Sequence, residues 1–326
     1  MTKTRKAQEL DIVEVTEDLP KYGVKKGEQA VIITAFDEPD EAYDLEFVDE
    51  SGTSSRFAYS VKPNQIRSAD EAARESLEKG IKLHNEGKGA EAEKEFRRAI
   101  ELKPDLIDEL HNLFLRSCEQ QDDSEETETF ERIIFAMHLV LRLNPEYQIA
   151  RDNIAIAYEK QGIIEATKGN LLRTTIRFRM ALAIATSPEV AFSIRQNLGG
   201  AWTQLAIQSY QSGEFQEFLN YMALAYETDS NESTKRNLAV AYADLALRFL
   251  NQNNREDATD SLQLAFDIAA ITPKKYDFLS GNIELIEAEI LEFLKRIEDD
   301  LSFDLQTRRI EFHIPQMQQP EYSISP

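Results

Sequence analysis

Few residues of this chain have the types and spacing that chemistry requires. The histidines are His84, His111, His138 and His313, and no two stand three or four residues apart, as two metal ligands on one helix face would. Cys118 lies within a helical pattern and is expected to be a small buried residue rather than a nucleophile. Glycine-rich phosphate loops and paired-cysteine motifs are missing from the sequence. We therefore expect a non-enzymatic protein with no catalytic residue, no metal site and no cofactor.

One short stretch concentrates cations, namely Lys168, Arg173, Arg177 and Arg179. Arg173 and Arg177 stand four residues apart, so they share a face of the predicted helix. These cations form a docking patch for an acidic partner, or they pair internally with the many carboxylates. The sequence leaves both interpretations open.

The chain as a whole is strongly acidic. It has 37 basic and 59 acidic residues, for a net charge of −22. Such a field repels phosphate backbones, so we expect no nucleic acid as the main partner. No stretch approaches the roughly 20 consecutive apolar residues that span a bilayer, and no apolar run follows the basic start. We therefore expect no membrane insertion and a cytoplasmic location.

The elements that would position these residues are predicted by a recurring asparagine. Asn112, Asn153, Asn197 and Asn237 each precede apolar and small residues, at intervals of 41, 44 and 40 residues. Repeats of this length are typical of stacked helix pairs, in which each unit buries one face against its neighbours. We expect the asparagines to bridge neighbouring helices through amide hydrogen bonds rather than to contact a ligand.

The first repeat resembles the tetratricopeptide family. Its small, apolar and terminating positions are occupied by Gly80, Leu83, Gly87, Ala92, Phe96, Ala99 and Pro104. The small residues allow close helix approach, and Phe96 fills the remaining space. Since the later repeats exceed the family's usual length, we expect one extra turn in each helix. The resemblance implies about five helix pairs in a superhelical solenoid, and a final amphipathic helix over residues 276–301 is expected to cap it.

Residues 10–67 show strand alternation instead of helical periodicity. Candidate strands begin near Asp11, Val31, Tyr43 and Phe57, with turn signals between them. Four or five short strands of this kind predict a small closed or partly closed barrel. The segment resembles an uncharacterised family of small bacterial barrels with an SH3-like fold. It does so through residues 10–13, 17–20, 23–28, 43–48 and 61–67.

The predicted fold is therefore α+β with two domains. A small SH3-like β-barrel over residues 1–67 precedes an all-α tetratricopeptide-like solenoid over residues 68–301. Residues 302–326 are expected to form a disordered tail. Within it, residues 308–314 alternate apolar and polar side chains and suit addition to a sheet edge or a groove.

The concave face of the solenoid, built from the first helix of each pair, is the predicted binding site. Apolar and hydrogen-bonding side chains on such a face suit a bound peptide or helix. The predicted partner-binding residues are Arg74, His84, Asn85, Asp152, Ile156, Glu159, Gln196, Gln204, Arg236 and Asp244. Some tetratricopeptide proteins clamp a C-terminal carboxylate with Lys and Asn. Leu77 and Ile81 occupy those positions here, so that mode is disfavoured.

The best functional hypothesis is an adaptor or assembly factor that holds a protein or peptide in the groove. Two other classes stay open. The chain is an antitoxin or immunity protein that neutralises a basic partner, or a regulator that responds to a peptide. The sequence does not identify the partner or the oligomeric state.

Overall fold

The computed structural model describes residues 6–48, 55–119, 126–274, 276–297, 303–304 and 309–310. The chain forms two compact units. The first comprises residues 1–113 and 139–145, and the second comprises residues 114–138 and 146–326.

The first unit begins with a five-stranded antiparallel sheet in the order β4-β3-β2-β1-β5. Its strands are β1 Ile12–Val15, β2 Gln29–Phe36, β3 Ala42–Val48, β4 Ser55–Val61 and β5 Ile66–Ser68. Strand β3 buries alternate residues, as its sequence predicts, because Tyr43, Leu45 and Phe47 all enter the core. Within the described residues β4 and β5 do not pair, so the sheet is open rather than closed.

Eleven α-helices follow the sheet in the described part of the chain, which confirms the α+β organisation at this level. The first six are α1 Ala69–Asn85, α2 Gly89–Leu102, α3 Leu106–Glu119, α4 Glu126–Leu143, α5 Gln148–Thr167 and α6 Leu171–Ile184. The others are α7 Pro188–Ser212, α8 Phe215–Thr228, α9 Glu232–Asn251, α10 Arg255–Ala269 and α11 Ile283–Ile297. Two short strands, β6 Phe303–Asp304 and β7 Arg309–Ile310, pair with each other.

Local sequence sets where these helices begin and end. Ser187 accepts a hydrogen bond from the Val190 amide, and Pro188 occupies the first turn, so both favour a helix start at α7. Asn231 caps α9 in the same way, through the amides of Ser233 and Thr234. Helix α7 ends at Gly213, whose φ of 81° is left-handed and suits glycine.

The helix pairs share one packing register. In α1, a Cβ added to Gly80 would lie 2.6 Å from the Phe96 ring of α2. In α5, a Cβ added to Gly162 would lie 2.5 Å from the Phe178 ring of α6. Both glycines precede their phenylalanine by sixteen residues. The predicted role of Gly80 and Phe96 in close helix approach is therefore confirmed.

The same sixteen-residue spacing continues in the later pairs. There, alanine stands in place of the glycine, and methionine or leucine in place of the phenylalanine. Ala206 and Met222 share one buried cluster of α7 and α8. Ala246 and Leu262 do so in α9 and α10. The repeat is therefore a property of the packing as well as of the sequence.

The expectation of one extra turn in each helix was wrong. The second helices α2, α6 and α8 have 14 residues each, and α10 has 15. The first helices lengthen instead, from 17 residues in α1 to 20 in α5, 25 in α7 and 20 in α9. In these four pairs the extra length therefore lies almost entirely in the first helix. The α3–α4 pair differs, because α3 has 14 residues and α4 has 18.

The last helix is shorter than the sequence predicts. A 3-10 turn covers Tyr276–Ser280, and α11 begins only at Ile283. Ile286, Ile290 and Phe293 of α11 are fully buried in a cluster with residues of α9 and α10. Most of the predicted tail at residues 302–326, and of its segment 308–314, lies outside the described residues.

Candidate functional site

Three of the predicted partner-binding residues belong to α1 in the first unit. Arg74, His84 and Asn85 are all exposed to solvent. The His84 ring lies 6.5 Å from the Phe96 ring, measured between centroids. Helix α1 therefore presents a cation near its start, and an imidazole and an amide at its end.

Asp152 of α5 has a structural role in the second unit. Its Oδ1 accepts hydrogen bonds from the backbone amides of Thr186 and Ser187, at 2.7 and 3.0 Å. These amides stand just before α7. The carboxylate thereby fastens α5 to the start of the next helix pair.

Glu159 is fully buried between α5 and α7. Its Oε1 accepts hydrogen bonds from Ser193 Oγ at 2.9 Å and from Asn197 Nδ2 at 2.8 Å. Its Oε2 is buried and has no hydrogen-bond partner. Burial raises the pKa of the Glu159 carboxyl above its ordinary value, although the two hydrogen bonds oppose that change.

Asp244 of α9 forms a second buried polar cluster in the same unit. Its carboxylate accepts hydrogen bonds from Arg248 Nε at 2.6 Å and from the Tyr210 hydroxyl at 3.2 Å. The Arg248 guanidinium lies 3.4 Å from the centre of the Phe215 ring. Burial raises the pKa of the Asp244 carboxyl, against the opposing effect of Arg248. This cluster links α9 to α7 and α8.

The other predicted residues of the second unit divide between core and surface. Ile156 is buried in the apolar cluster around Phe178. Gln196, Gln204 and Arg236 are half-buried. Ile156, Glu159 and Asp244 thus hold helices together in the structure. Partner binding by the set of ten residues stays a prediction.

The expected role of the repeated asparagines is confirmed at Asn197, which bridges α7 to α5 through Glu159. Asn153 and Asn237 are also buried. The serine four residues before Asn197 donates to the same carboxylate, and Ser233 stands at the equivalent place before Asn237. This Ser-x-x-x-Asn spacing is a signal that the sequence interpretation missed.

The predicted basic patch lies at the end of α5 and on α6. Lys168 and Arg173 are exposed, and Arg177 lies 5.9 Å from the centre of the Tyr158 ring. Across the described ranges, none of these three cations forms an ion pair. The sequence left open whether these cations form a docking patch or pair internally with carboxylates. Among the described residues, they do not pair internally.

A buried carboxylate in the sheet was not predicted. Glu14 of β1 accepts hydrogen bonds from Arg67 Nη2 at 2.9 Å and from Arg98 Nη2 at 2.8 Å to each carboxylate oxygen. Arg67 faces Glu14 across the β1–β5 ladder, whereas Arg98 comes from α2. The sheet and the first helix pair are thereby joined within the first unit.

The first unit also contains an open polar cleft of about 850 Å³. Its lining includes Lys6, Asp11, Tyr43, Arg67 and Asp70. Burial and a hydrogen bond donated to Glu41 raise the pKa of the Tyr43 hydroxyl. Nowhere in the described part of the chain do three His, Cys, Asp or Glu side chains come together as a metal site requires.

A family model matches the N-terminal segment of the chain. Residues 9–67 match the family described as "Domain of unknown function (DUF4926)". This range is nearly the same as that of the predicted strand segment. No curated protein matches the chain. Of the described helices, none has both the length and the apolar composition needed to cross a bilayer.

Two solved structures are similar to the chain at low sequence identity. One is from the functional characterization of Pseudomonas aeruginosa pilF, with 16% identity, 73% of this chain and 97% of that chain covered, and a TM-score of 0.24. The other is BtubC (BKLC) from P. vanneervenii, with 13% identity, 62% and 90% covered, and a TM-score of 0.22. At these TM-scores neither likeness bears on function.

Proposed function

We propose that the helix pairs form a tetratricopeptide-like solenoid and that the protein is a non-enzymatic adaptor for a protein or peptide partner. The observation that supports this proposal is the shared packing register. Two helix pairs make the same close contact, one between Gly80 and Phe96 and the other between Gly162 and Phe178. In both, the glycine precedes the phenylalanine by sixteen residues. Stacked pairs of this kind offer an extended surface rather than a deep pocket.

The binding surface in this proposal is carried by exposed side chains of the first helices. Arg74, His84 and Asn85 supply a cation and hydrogen-bonding groups at the α1 surface. The buried Glu159 and Asp244 have a different function, which is to fix neighbouring helices at one spacing. A rigid surface reduces the entropy lost on binding.

The N-terminal sheet is proposed to be an SH3-like second contact site. Its outer strand β4 has exposed Phe57 and Tyr59 side chains with stacked rings, 6.3 Å between centroids. Aromatic side chains supply much of the contact energy at protein interfaces. The net charge of −22 supports a protein partner over a nucleic acid.

The test is affinity capture with the full chain in its native host. We compare the wild type with a triple variant carrying Arg74→Ala, His84→Ala and Asn85→Ala. The matched control carries Glu91→Ala, Lys94→Ala and Glu101→Ala, three exposed positions of α2 in the same pair. The adaptor proposal expects a partner that is recovered by the wild type and the control and is lost with the α1 variant.

Equal recovery by all three proteins would remove α1 from the binding surface. A stoichiometric complex with one strongly basic protein would instead favour the neutralising function. A change in compactness on adding a short peptide, measured by small-angle scattering, would favour the regulator.

A further inference from the structure

The outer face of α6 exposes an apolar stripe. Leu172, Ile176 and Met180 are 60%, 56% and 38% exposed. Because they stand four residues apart, they form one ridge along the helix, about 12 Å from first to last at 1.5 Å per residue. Surface apolar residues are common singly, but a continuous ridge of three marks an interaction surface.

Arginines flank this stripe on both sides. At 100° per residue, Arg179 falls on one side of the ridge, and Arg173 and Arg177 fall on the other. Helix α6 contains no acidic residue. Arg173 and Arg179 make no ion pair with any residue that the structure describes, although the chain has 59 acidic residues.

The equivalent helices of the next two pairs lack this face. Leu172 and Ile176 stand six and two residues before the packing residue Phe178. The same places before Met222 of α8 hold Gln216 and Asn220, and those before Leu262 of α10 hold Glu256 and Asp260. The third position keeps an exposed apolar residue in these helices, Leu224 and Leu264, so only the complete stripe of three distinguishes α6 from α8 and α10.

We propose that the α6 face, defined as Leu172, Ile176, Met180, Arg173 and Arg179, binds an acidic amphipathic helix of a partner protein. This proposal rests on the proposed adaptor function and gives the partner its chemistry. A partner helix would pack its apolar side on the ridge and place Asp or Glu beside Arg173 and Arg179. A second copy of α6 does not fit, because it would bring arginine against arginine.

The test uses a displayed library of 18-residue helical peptides with a fixed leucine stripe and randomised flanking positions. The library is selected on the full chain and counter-selected on the Leu172→Gln, Ile176→Asn variant. That variant carries the α8 residue types, Gln and Asn, at two exposed positions. Circular dichroism checks that it still folds. Enriched peptides are then measured by fluorescence anisotropy.

We expect the enriched peptides to carry Asp and Glu at the flanks. Their affinity should fall about tenfold or more with Leu172→Gln, Ile176→Asn, because exposed apolar area is lost from the contact. A similar fall is expected with Arg173→Glu, Arg179→Glu. The control Gln216→Ala, Asn220→Ala in α8 should leave the affinity within about twofold.

Three results would overturn the proposal. The first is no enrichment over the counter-selection variant, and the second is enrichment of neutral or basic flanks. The third is binding of phosphatidylglycerol vesicles through the α6 face without peptide binding. The adaptor test substitutes residues of α1 only. It can therefore succeed even if the α6 proposal fails.

Discussion

Gly80 and Gly162 each make room for an aromatic ring. The nearest atoms of the Phe96 and Phe178 rings lie 2.6 and 2.5 Å from the position that a Cβ atom would take. Both contacts are shorter than any that two carbon atoms tolerate, so the absence of a side chain fixes how closely the paired helices approach.

We predict that Gly80→Ala destabilises the protein, although alanine is the better helix former. The propensity gain is about 1 kcal/mol, whereas overpacking against Phe96 costs about 1–3 kcal/mol. Urea denaturation should show a net loss in the free energy of unfolding. Combining it with Phe96→Leu should restore part of the loss, because the added methyl then meets a smaller side chain.

The matched control is Gly89→Ala at the start of α2, where nothing lies within 4 Å of an added Cβ. It should stabilise the protein slightly or leave it unchanged. A Gly80→Ala variant that behaved like Gly89→Ala would show that the Phe96 ring moves freely away.

Glu159 makes stability depend on pH. Since its folded pKa is raised from an ordinary value near 4.5, the folded state holds the proton over a range in which the unfolded chain releases it. The contribution of this group to stability therefore falls as pH rises from about 4.5 through the folded pKa.

We predict that Glu159→Gln, which keeps an oxygen acceptor for Ser193 and Asn197, reduces this fall. Urea denaturation between about pH 4.5 and about pH 7 should give a flatter profile than the wild type. Asp244 retains its own raised pKa, so some slope remains. Glu217→Gln on the exposed face of α8 serves as control, and an identical slope in Glu159→Gln and wild type would contradict the assignment.

The packing contacts within a pair could be predicted from sequence. For contacts between pairs, the sequence indicated the bridging asparagine but not its partner on the neighbouring helix. The contact between Gly80 and Phe96 is what the resemblance to the tetratricopeptide repeat implies. The position of Glu159 on a helix face was also predictable, but not that α7 covers this face with Ser193 and Asn197. Periodicity identifies the apolar side of a helix and leaves open which neighbour lies over its polar side.

Asp152 couples α5 to the segment that connects α6 and α7. Two backbone amides that precede α7 depend on one carboxylate oxygen. Such contacts orient the entry of a helix in the way that an N-cap side chain does.

We predict that Asp152→Ala lowers the free energy of unfolding by about 1 kcal/mol, as for loss of a capping side chain. Asp152→Asn should lose less, because its amide oxygen still accepts. Faster hydrogen exchange at the Thr186 and Ser187 amides would locate the effect. Asp260→Ala, on an exposed face of α10, should fall within about 0.5 kcal/mol of the wild type.

The lengths of the helices show a second limit of sequence analysis. Repeat intervals of 40–44 residues require additional turns, but the interval does not tell which helix receives them. The same limit applies to Glu14. Strand alternation in β1 places its side chain on the other face from that of Val13, but it does not indicate that Arg98, 84 residues further along the chain, binds this carboxylate.

Charge acts on the entire protein. With a net charge of −22, like charges repel one another in the folded state more than in the expanded unfolded chain. Added salt shortens the Debye length from about 30 Å at 0.01 M to about 8 Å at 0.15 M.

We predict that raising NaCl from about 0.01 to about 0.15 M increases Tm by several degrees, since screening relieves this repulsion. Differential scanning calorimetry at neutral pH provides the measurement. The increase should shrink near the isoelectric point of about 4.7, where the net charge vanishes. A Tm that does not respond to salt at neutral pH would show that surface ion pairs already balance the field.

The division into a sheet segment and a helical segment was predictable because the hydrophobic period changes from two to 3.6 near residue 68. The α6 face was predictable only in part. Its cations were visible in the sequence, whereas the exposure of Leu172 and Ile176 depends on which side of α6 packs against α5 and α7.

The small packing residues Gly80, Gly162, Ala206 and Ala246 all stand five or six residues before their helix ends. Every additional turn of the first helices therefore lies upstream of that fixed point. Insertion of whole turns at this end would leave the contact between the paired helices unchanged. The fold thus tolerates growth in one direction, and natural length variants should differ by multiples of three or four residues upstream of these positions.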